Sequence, residues 1–280
     1  MESLTSGLCI CGHRGECISG AENTISVMRH VMDAGVDMVE TDVRMSADGH
    51  LFLMHNRNLA DCTDGTGQIE THTGEEILRM NAAVNAGGRF PYIPGFEHPA
   101  LLEDFLELAE HYPRVVLNIE FKDLPGRNGC TEEFAFRAIE KGARMILERG
   151  LGDRTLVNSF SGRLVEHIFR LYGEKFHYHT FYPWENNGDM KIPPQSFCEV
   201  VCPLNWVRRP DGTRFIKQED MPESYFKDLS GTGMRIIVSG GRGDDEFGNL
   251  DRLIALGGSI IMADDPLKVL DYYRARGLHR

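Results

Sequence analysis

Short apolar runs alternate with longer amphipathic stretches along the whole chain. Strand-like runs occupy Leu8–Gly12, Met38–Arg44, Leu51–His55, Val115–Phe121, Thr155–Ser159, Lys175–Thr180, Glu199–Pro203, Met234–Ser239 and Ser259–Met262. Between them, apolar positions at helical spacing predict helices over Thr24–Ala34, Leu101–His111, Glu132–Arg149, Gly162–Tyr172, Pro222–Leu229, Asn249–Leu256 and Leu267–Ala275. Asn23 stands where a side chain would cap the first of these helices, and Gly35 where it would end. Repeated strand–helix units predict a parallel sheet covered by helices.

Nine strands are one too many for an eight-stranded TIM barrel. The link between the second and third is about Ser46-Ala47-Asp48-Gly49, and Asp-Gly is a strong hairpin signal. A parallel crossover needs a dozen or more residues, so these two strands must run antiparallel. The second barrel strand then extends past the rim as an arm and returns, which puts His55 opposite Asp42. Eight barrel strands remain, and the expected fold is an α/β TIM barrel over residues 1–280. Residues from about 56 to 99 are too rich in turns for an ordinary connection and predict a small insertion capping the barrel's C-terminal face.

A chain of 280 residues with 41% hydrophobic and 26% charged residues has ample core and no sign of disorder. The net charge of −12 argues against nucleic acid as a partner, because such binding needs a basic surface. It leaves a small anionic substrate open, since a metal ion and a few local cations can reverse the field in a cleft. No run approaches the roughly 20 apolar residues of a membrane span, so no stable membrane insertion is expected. The segment Met1–Gly7 lacks the basic start and apolar run of a secretory signal. Seven cysteines, mostly within apolar segments, predict reduced thiols and a cytoplasmic location. Cys9-x-Cys11 has no second pair at zinc spacing, which leaves the thiols without an expected metal role.

Chemistry in such barrels sits at the C-terminal strand ends. The first strand ends in His13-Arg14-Gly15. The second carries Glu40 and Asp42 on one face, the returning arm ends in His55, and the third barrel strand carries Glu120 and Lys122 on one face. Glu40, Asp42 and Glu120 would crowd three carboxylates at one rim, and a hard divalent cation, Mg²⁺ or Ca²⁺, relieves that repulsion. Plain salt bridges to Arg14, Arg44 and Lys122 are the competing explanation. His13 and His55 form the natural acid–base pair, while Arg14 and Lys122 are suited to phosphoryl oxygens. The other nine histidines, His177 and His179 among them, read as structural.

These residues resemble the signature of the glycerophosphodiester phosphodiesterase family, within the phospholipase-C-like barrels. The matching pieces are Gly12-His13-Arg14-Gly15, Ala21-Glu22-Asn23-Thr24, Val39-Glu40-Thr41-Asp42-Val43, Asp48-Gly49 and His55. Asn118-Ile119-Glu120-Phe121-Lys122, Ser159-Phe160 and Ala263-Asp264-Asp265-Pro266 continue the series in the same order. The resemblance implies hydrolysis of a small glycerophosphodiester to sn-glycerol 3-phosphate and an alcohol. It implies catalysis by His13 and His55, a cation on Glu40, Asp42 and Glu120, and Arg14 and Lys122 near the phosphate.

Two departures stand out. The family usually has His-Asp where this chain has His55-Asn56. Ile236-Ile237-Val238-Ser239-Gly240-Gly241 replaces its Trp-Thr-Val-Asn-like seventh-strand motif, which leaves room for another diester, a lysophospholipid or a sugar phosphodiester. The loops Phe181–Trp184 and Asn205–Arg209 could contact a larger substituent. A non-catalytic barrel that binds a phosphorylated ligand would be expected to have lost a histidine or a carboxylate, and all are present. A metal-dependent amidohydrolase would need His-x-His on the first strand, which reads His13-Arg14-Gly15.

Overall fold

The computed structural model describes residues 7–18, 21–85, 95–217, 220–239 and 246–279. The first half contains β1 (Cys9–Gly12), α1 (Ile25–Ala34), β2 (Met38–Met45), β3 (Leu51–Leu53), α2 (Gly74–Leu78), α3 (Leu102–Glu110), β4 (Val116–Phe121) and α4 (Glu132–Glu148). The second half contains β5 (Thr155–Asn158), α5 (Gly162–Tyr172), β6 (His177–Tyr182), β7 (Val200–Pro203), β8 (Trp206–Arg208) and β9 (Arg214–Ile216). It ends with α6 (Glu223–Leu229), β10 (Arg235–Ser239), α7 (Glu246–Ala255), β11 (Gly258–Ala263) and α8 (Pro266–Ala275). Eight strands, β1, β2, β4, β5, β6, β7, β10 and β11, pair in parallel in that order, and β11 pairs back onto β1. The sheet is a closed (β/α)8 barrel, so these strands have no free edge.

The expected hairpin arm is present. β3 pairs antiparallel to β2 outside the barrel, with Val43 opposite Leu53 and Met45 opposite Leu51. Ser46 and His50 close the turn through a 2.8 Å backbone bond, and Gly49 takes φ 91. This register puts Met54, not His55, opposite Asp42, and the Met54 amide donates to the Asp42 carbonyl at 2.8 Å. The expected alignment is thus off by one residue. Regular pairing stops at Leu53, whose amide turns to Ala100, which frees His55 to leave the ladder.

Two apolar shells build the barrel. Cys9, Cys11, Met38, Val116, Leu156, Val200, Ile237 and Ile260 fill its interior, and a larger shell packs the strands' outer faces against the helices. α4 shows why the sequence folds this way: Ala135, Ala138, Ile139, Gly142, Ala143 and Ile146 recur at three- and four-residue intervals and are all buried. A Cβ on Gly142 would stand 2.5 Å from the Phe121 ring, so glycine lets this helix lie close on β4. Within the 56–99 segment, Leu59, Ile69 and Ile77 join Phe52 and Met54 in a small separate core on the arm. Its Phe90–Pro94 stretch lies outside the described residues.

Strand limits match expectation to within two residues, and β6 as a whole is displaced by two toward Tyr182. Gly173 ends α5 and starts a 3-10 turn that takes up Lys175. Phe181 and Tyr182, expected in a loop, are therefore strand residues. The stretch after the sixth barrel strand is not a plain loop either, because Trp206–Arg208 pairs with Arg214–Ile216 as a hairpin.

Candidate active site

The first strand ends in a tight turn. Arg14 and Gly15 both adopt positive φ, at 52 and 78, and a Cβ on Gly15 would meet Val27 at 2.7 Å. The turn aims the Arg14 amide at Glu40 Oε2, 2.9 Å away. It also leaves His13 beside the end of β11, where its amide donates to the Ala263 carbonyl at 2.9 Å. His13 Nδ1 lies 2.6 Å from Asp264 Oδ1, and Nε2 lies 4.0 Å from Glu40. Burial pulls the His13 pKa down, but the Asp264 hydrogen bond and the Glu40 and Asp264 charges outweigh it and raise the value above 6.5.

Asn23 does not cap the first helix. Thr24 is the N-cap residue, and Asn23 sits at φ 60 with its side chain turned toward β2. Its Nδ2 donates to Asp42 Oδ2 at 3.0 Å, and its Oδ1 accepts from the Thr41 hydroxyl at 2.8 Å. An amide can both donate and accept, so one side chain locks the second strand's rim and orients a buried carboxylate.

Glu40, Asp42 and Glu120 are all buried, and one oxygen from each lies within 4.8 Å of the other two. In β2 and β4, Asp42 is the direct neighbour of Glu120. Lys122 Nζ stands 2.6 Å from Glu120 and 3.1 Å from Asp42. Arg14 Nε lies 3.5 Å from Asp42, and its Nη1 donates to both Glu22 oxygens at 3.0 Å. Arg44 does not join them; it pairs with Asp123 at 3.2 Å and donates to the His55 carbonyl at 2.9 Å. Burial and then the Asp42 charge raise the Glu40 pKa. Burial opposes ionisation of Asp42 too, yet Lys122, His55 and Arg14 bring its pKa below the usual range.

His55 contrasts with His13. Its Nδ1 contacts Asn56 Oδ1 at 2.7 Å, an amide in place of a carboxylate. Burial first, with Lys122 and Arg14 assisting, lowers its pKa to about 4 against the pull of Asp42. The charged form is therefore favoured in one imidazole and disfavoured in the other at the same rim.

His13, Arg14, Glu40, His55, Glu120 and Lys122 line one cavity of about 530 Å³, with Asp42 buried beneath. Six of the seven expected site residues thus share its wall. Phe160, Phe181, Leu204, Trp206, Ile216 and Met262 supply its apolar side. Trp184 and Tyr182 pack on each other and do not line it. Ser239 does line it, whereas Gly240 and Gly241 lie outside the described residues. His179 is in a strand, as expected, yet it lines this same cavity. A side cavity of about 340 Å³ shares His55, Glu120, Lys122 and Phe160, and the insertion contributes Asn56, Arg57 and Glu70 to it.

An all-oxygen set of three converging carboxylates fits a hard divalent cation, since His13 and Lys122 only partly offset the burial and carboxylate charges that raise Glu40. A second cluster of His13, Cys17 and Asp264 fits less well, because burial pushes the Cys17 thiol pKa up and Asp264 already engages His13. Asp264 is the site residue to which the sequence assigns no role. It lies in a matched motif, but nothing local to residues 263–266 connects it to a histidine 251 positions away.

Residues 13–182 match the glycerophosphoryl diester phosphodiesterase family. The chain belongs to that family. A relative named glycerophosphodiester phosphodiesterase, from Caldanaerobacter subterraneus subsp. tengcongensis, is 30% identical over 54% of this chain and 58% of its own length. A human relative named glycerophosphodiester phosphodiesterase 1 is 29% identical over 80% of this chain and 69% of its own. With 57% for a Bacillus altitudinis relative, the two bacterial matches span little more than half of those proteins. A glycerophosphodiester phosphodiesterase structure from Agrobacterium tumefaciens covers 92% of this chain and 97% of its own at TM-score 0.66 and 23% identity. An Oleispira antarctica phosphodiesterase bound to its product sn-glycerol-3-phosphate covers 96% and 98% at TM-score 0.74 and 18% identity. These two likenesses show the fold. No helix among the described residues is long and apolar enough to cross a membrane.

Proposed function

We propose that this chain hydrolyses glycerophosphodiesters to sn-glycerol 3-phosphate and an alcohol, with His13 and His55 as acid and base. The observation that carries the reading is the opposite anchoring of two imidazoles beside one buried carboxylate cluster. Neutral His55 takes the proton from the attacking oxygen. His13, kept protonated by Asp264, returns one to the departing alkoxide. Arg14 and Lys122 flank the reacting phosphoryl group and offset its charge. Glu40, Asp42 and Glu120 would hold one Mg²⁺ or Ca²⁺ ion, which supplies Lewis-acid polarisation of the phosphorus.

The whole chain acts as one barrel unit, a reading supported by a core that runs from Ile10 to Tyr273. All seven cysteines are free, in keeping with a reducing, cytoplasmic setting. The substrate partner is a small molecule, since the cavity is enclosed by side chains and the chain is acidic. Turnover of a lysophospholipid or sugar phosphodiester by the same chemistry is the second reading, favoured by the apolar wall of Phe160, Phe181 and Trp206.

The test is release of glycerol 3-phosphate from glycerophosphocholine and glycerophosphoethanolamine, with Mg²⁺, Ca²⁺ or chelator, by wild type and His13→Ala. Metal-dependent release lost in the variant is expected. A folded protein that releases nothing from either diester, yet cleaves larger ones, would transfer the assignment to the second reading.

A further inference from the structure

Below the carboxylates, the cavity floor contains polar atoms that the catalytic reading leaves unused. Asn158 and His179 are each 1% exposed and line the cavity. Asn158 Oδ1 and His179 Nε2 are buried and have no hydrogen-bond partner among the described residues. Such atoms are costly in a folded protein and call for an explanation. The His179 ring is oriented from behind: Nδ1 lies 3.2 Å from Asn118 Oδ1, and the tautomer that donates from Nδ1 to this oxygen leaves the Nε2 lone pair free. Burial lowers the His179 pKa to about 3, so the ring is neutral. Two uncharged acceptors thus face the cavity, while the unpartnered donor of the same group, Asn118 Nδ2, belongs to a residue that does not line it. Asn158 is also the direct strand neighbour of Glu120, one step from the carboxylate cluster.

We propose that Asn158 Oδ1 and His179 Nε2 form a diol subsite, accepting hydrogen bonds from two adjacent hydroxyls of the substrate while its phosphate lies over Glu120. A vicinal diol has the two donors the floor lacks and a carbon skeleton that suits the adjoining Phe160, Phe181 and Met262 walls. The inference rests on the phosphodiesterase reading and sharpens it. The diol comes from the glyceryl group or from a polyol head group. A 1-acyl glyceryl group has lost one donor and would leave an acceptor buried and unmade, so the subsite selects against lysophospholipids.

The experiment compares glycerophosphocholine with analogues lacking the glyceryl 1- or 2-hydroxyl, for wild type, Asn158→Ala, Asn158→Ser, His179→Ala and His179→Gln. The esterified choline group has no N–H or O–H, so the glyceryl hydroxyls are the only neutral donors in this substrate. Wild type is expected to prefer the intact diol by at least about tenfold in kcat/KM, a ratio that corresponds to one hydrogen bond. That ratio should fall toward one in the alanine variants and recover in part in Asn158→Ser and His179→Gln. A merely structural role would slow all substrates equally and leave the ratio unchanged, which would overturn the proposal. So would equal turnover of the deoxy analogues by wild type.

A second arm uses an alkyl phosphoinositol diester. Dependence on Asn158 and His179 there alone would keep the diol assignment and move its source to the head group. If wild type cleaves none of these, calorimetric binding of sn-glycerol 3-phosphate against 3-hydroxypropyl phosphate decides. Tighter binding of the diol, lost in Asn158→Ala, upholds the subsite although the hydrolytic reading has failed. Equal binding of the two phosphates removes it.

Discussion

The two histidines proposed as acid and base belong to different kinds of structure. His13 follows a barrel strand, and its Nδ1 is held by Asp264 from the adjoining strand end, across the seam where the barrel closes. His55 hangs from an arm outside the barrel and is held by its own sequence neighbour, Asn56. The Asp264 carboxylate adds a full negative charge that favours the imidazolium, whereas the Asn56 amide oxygen adds only a hydrogen bond, which burial, Lys122 and Arg14 outweigh. The two imidazoles are thus shifted in opposite directions within one cavity, which supports His13 as the acid and His55 as the base of the proposed reaction.

Removing the metal should have the largest effect. Dialysis against chelator is expected to abolish turnover, with Mg²⁺ or Ca²⁺ restoring it; full activity in the stripped protein would reduce Glu40, Asp42 and Glu120 to an ion-pair network. Next come the histidines, where alanine at either position should lower kcat about 10²–10⁴-fold. A substrate with a good leaving group separates them. It should largely rescue His13→Ala, which has lost the acid, but not His55→Ala. Equal rescue of both would break the assignment.

The anchors should act through pH. His13 is charged up to a pKa raised above 6.5, and His55 is neutral down to about 4. Turnover therefore spans the window between them, with an acid limb from His55 and an alkaline limb from His13. Asp264→Asn withdraws a group that favours the imidazolium, so the His13 pKa falls and the alkaline limb moves to lower pH. Asn56→Asp adds such a group beside His55, so its pKa rises and the acid limb moves to higher pH. Each shift should be about one unit, equivalent to about 1.4 kcal/mol. Profiles that move in the opposite sense would refute the pairing.

The smallest catalytic effect should come from the arm's own core. Leu59→Ala empties part of the cluster under β3 and should cost about 2–4 kcal/mol of unfolding stability. Its effect on kcat should remain within about tenfold, because the His13 side of the cavity is built on other elements. A change in the alkaline limb would show that the two regions are coupled more tightly than their separate cores imply.

Much of this is legible in the chain. Strand and helix periodicities mark the eight barrel strands, and Asp48-Gly49 marks the arm. Residues two apart on a strand share a face, so spacing alone pairs Glu40 with Asp42 and Glu120 with Lys122. Asn23 reads as a helix cap because Asn is common there; burial beside Thr41 and Asp42 gives its amide better partners. His55 stands one register step from its expected position because the turn Ser46–His50 is centred on Asp48 and not between Asp48 and Gly49.

The sequence by itself determined the local faces, the order of elements and the identity of the groups able to do chemistry, since these depend on near-neighbour periodicity. Only the tertiary structure decided which distant strand ends meet. Closure of the barrel brings Asp264 to His13, and it sets Asn118, Asn158 and His179 from three strands around one floor. Whether a polar atom finds a partner or is left buried without one depends on everything that surrounds it. No spacing along a single strand encodes that.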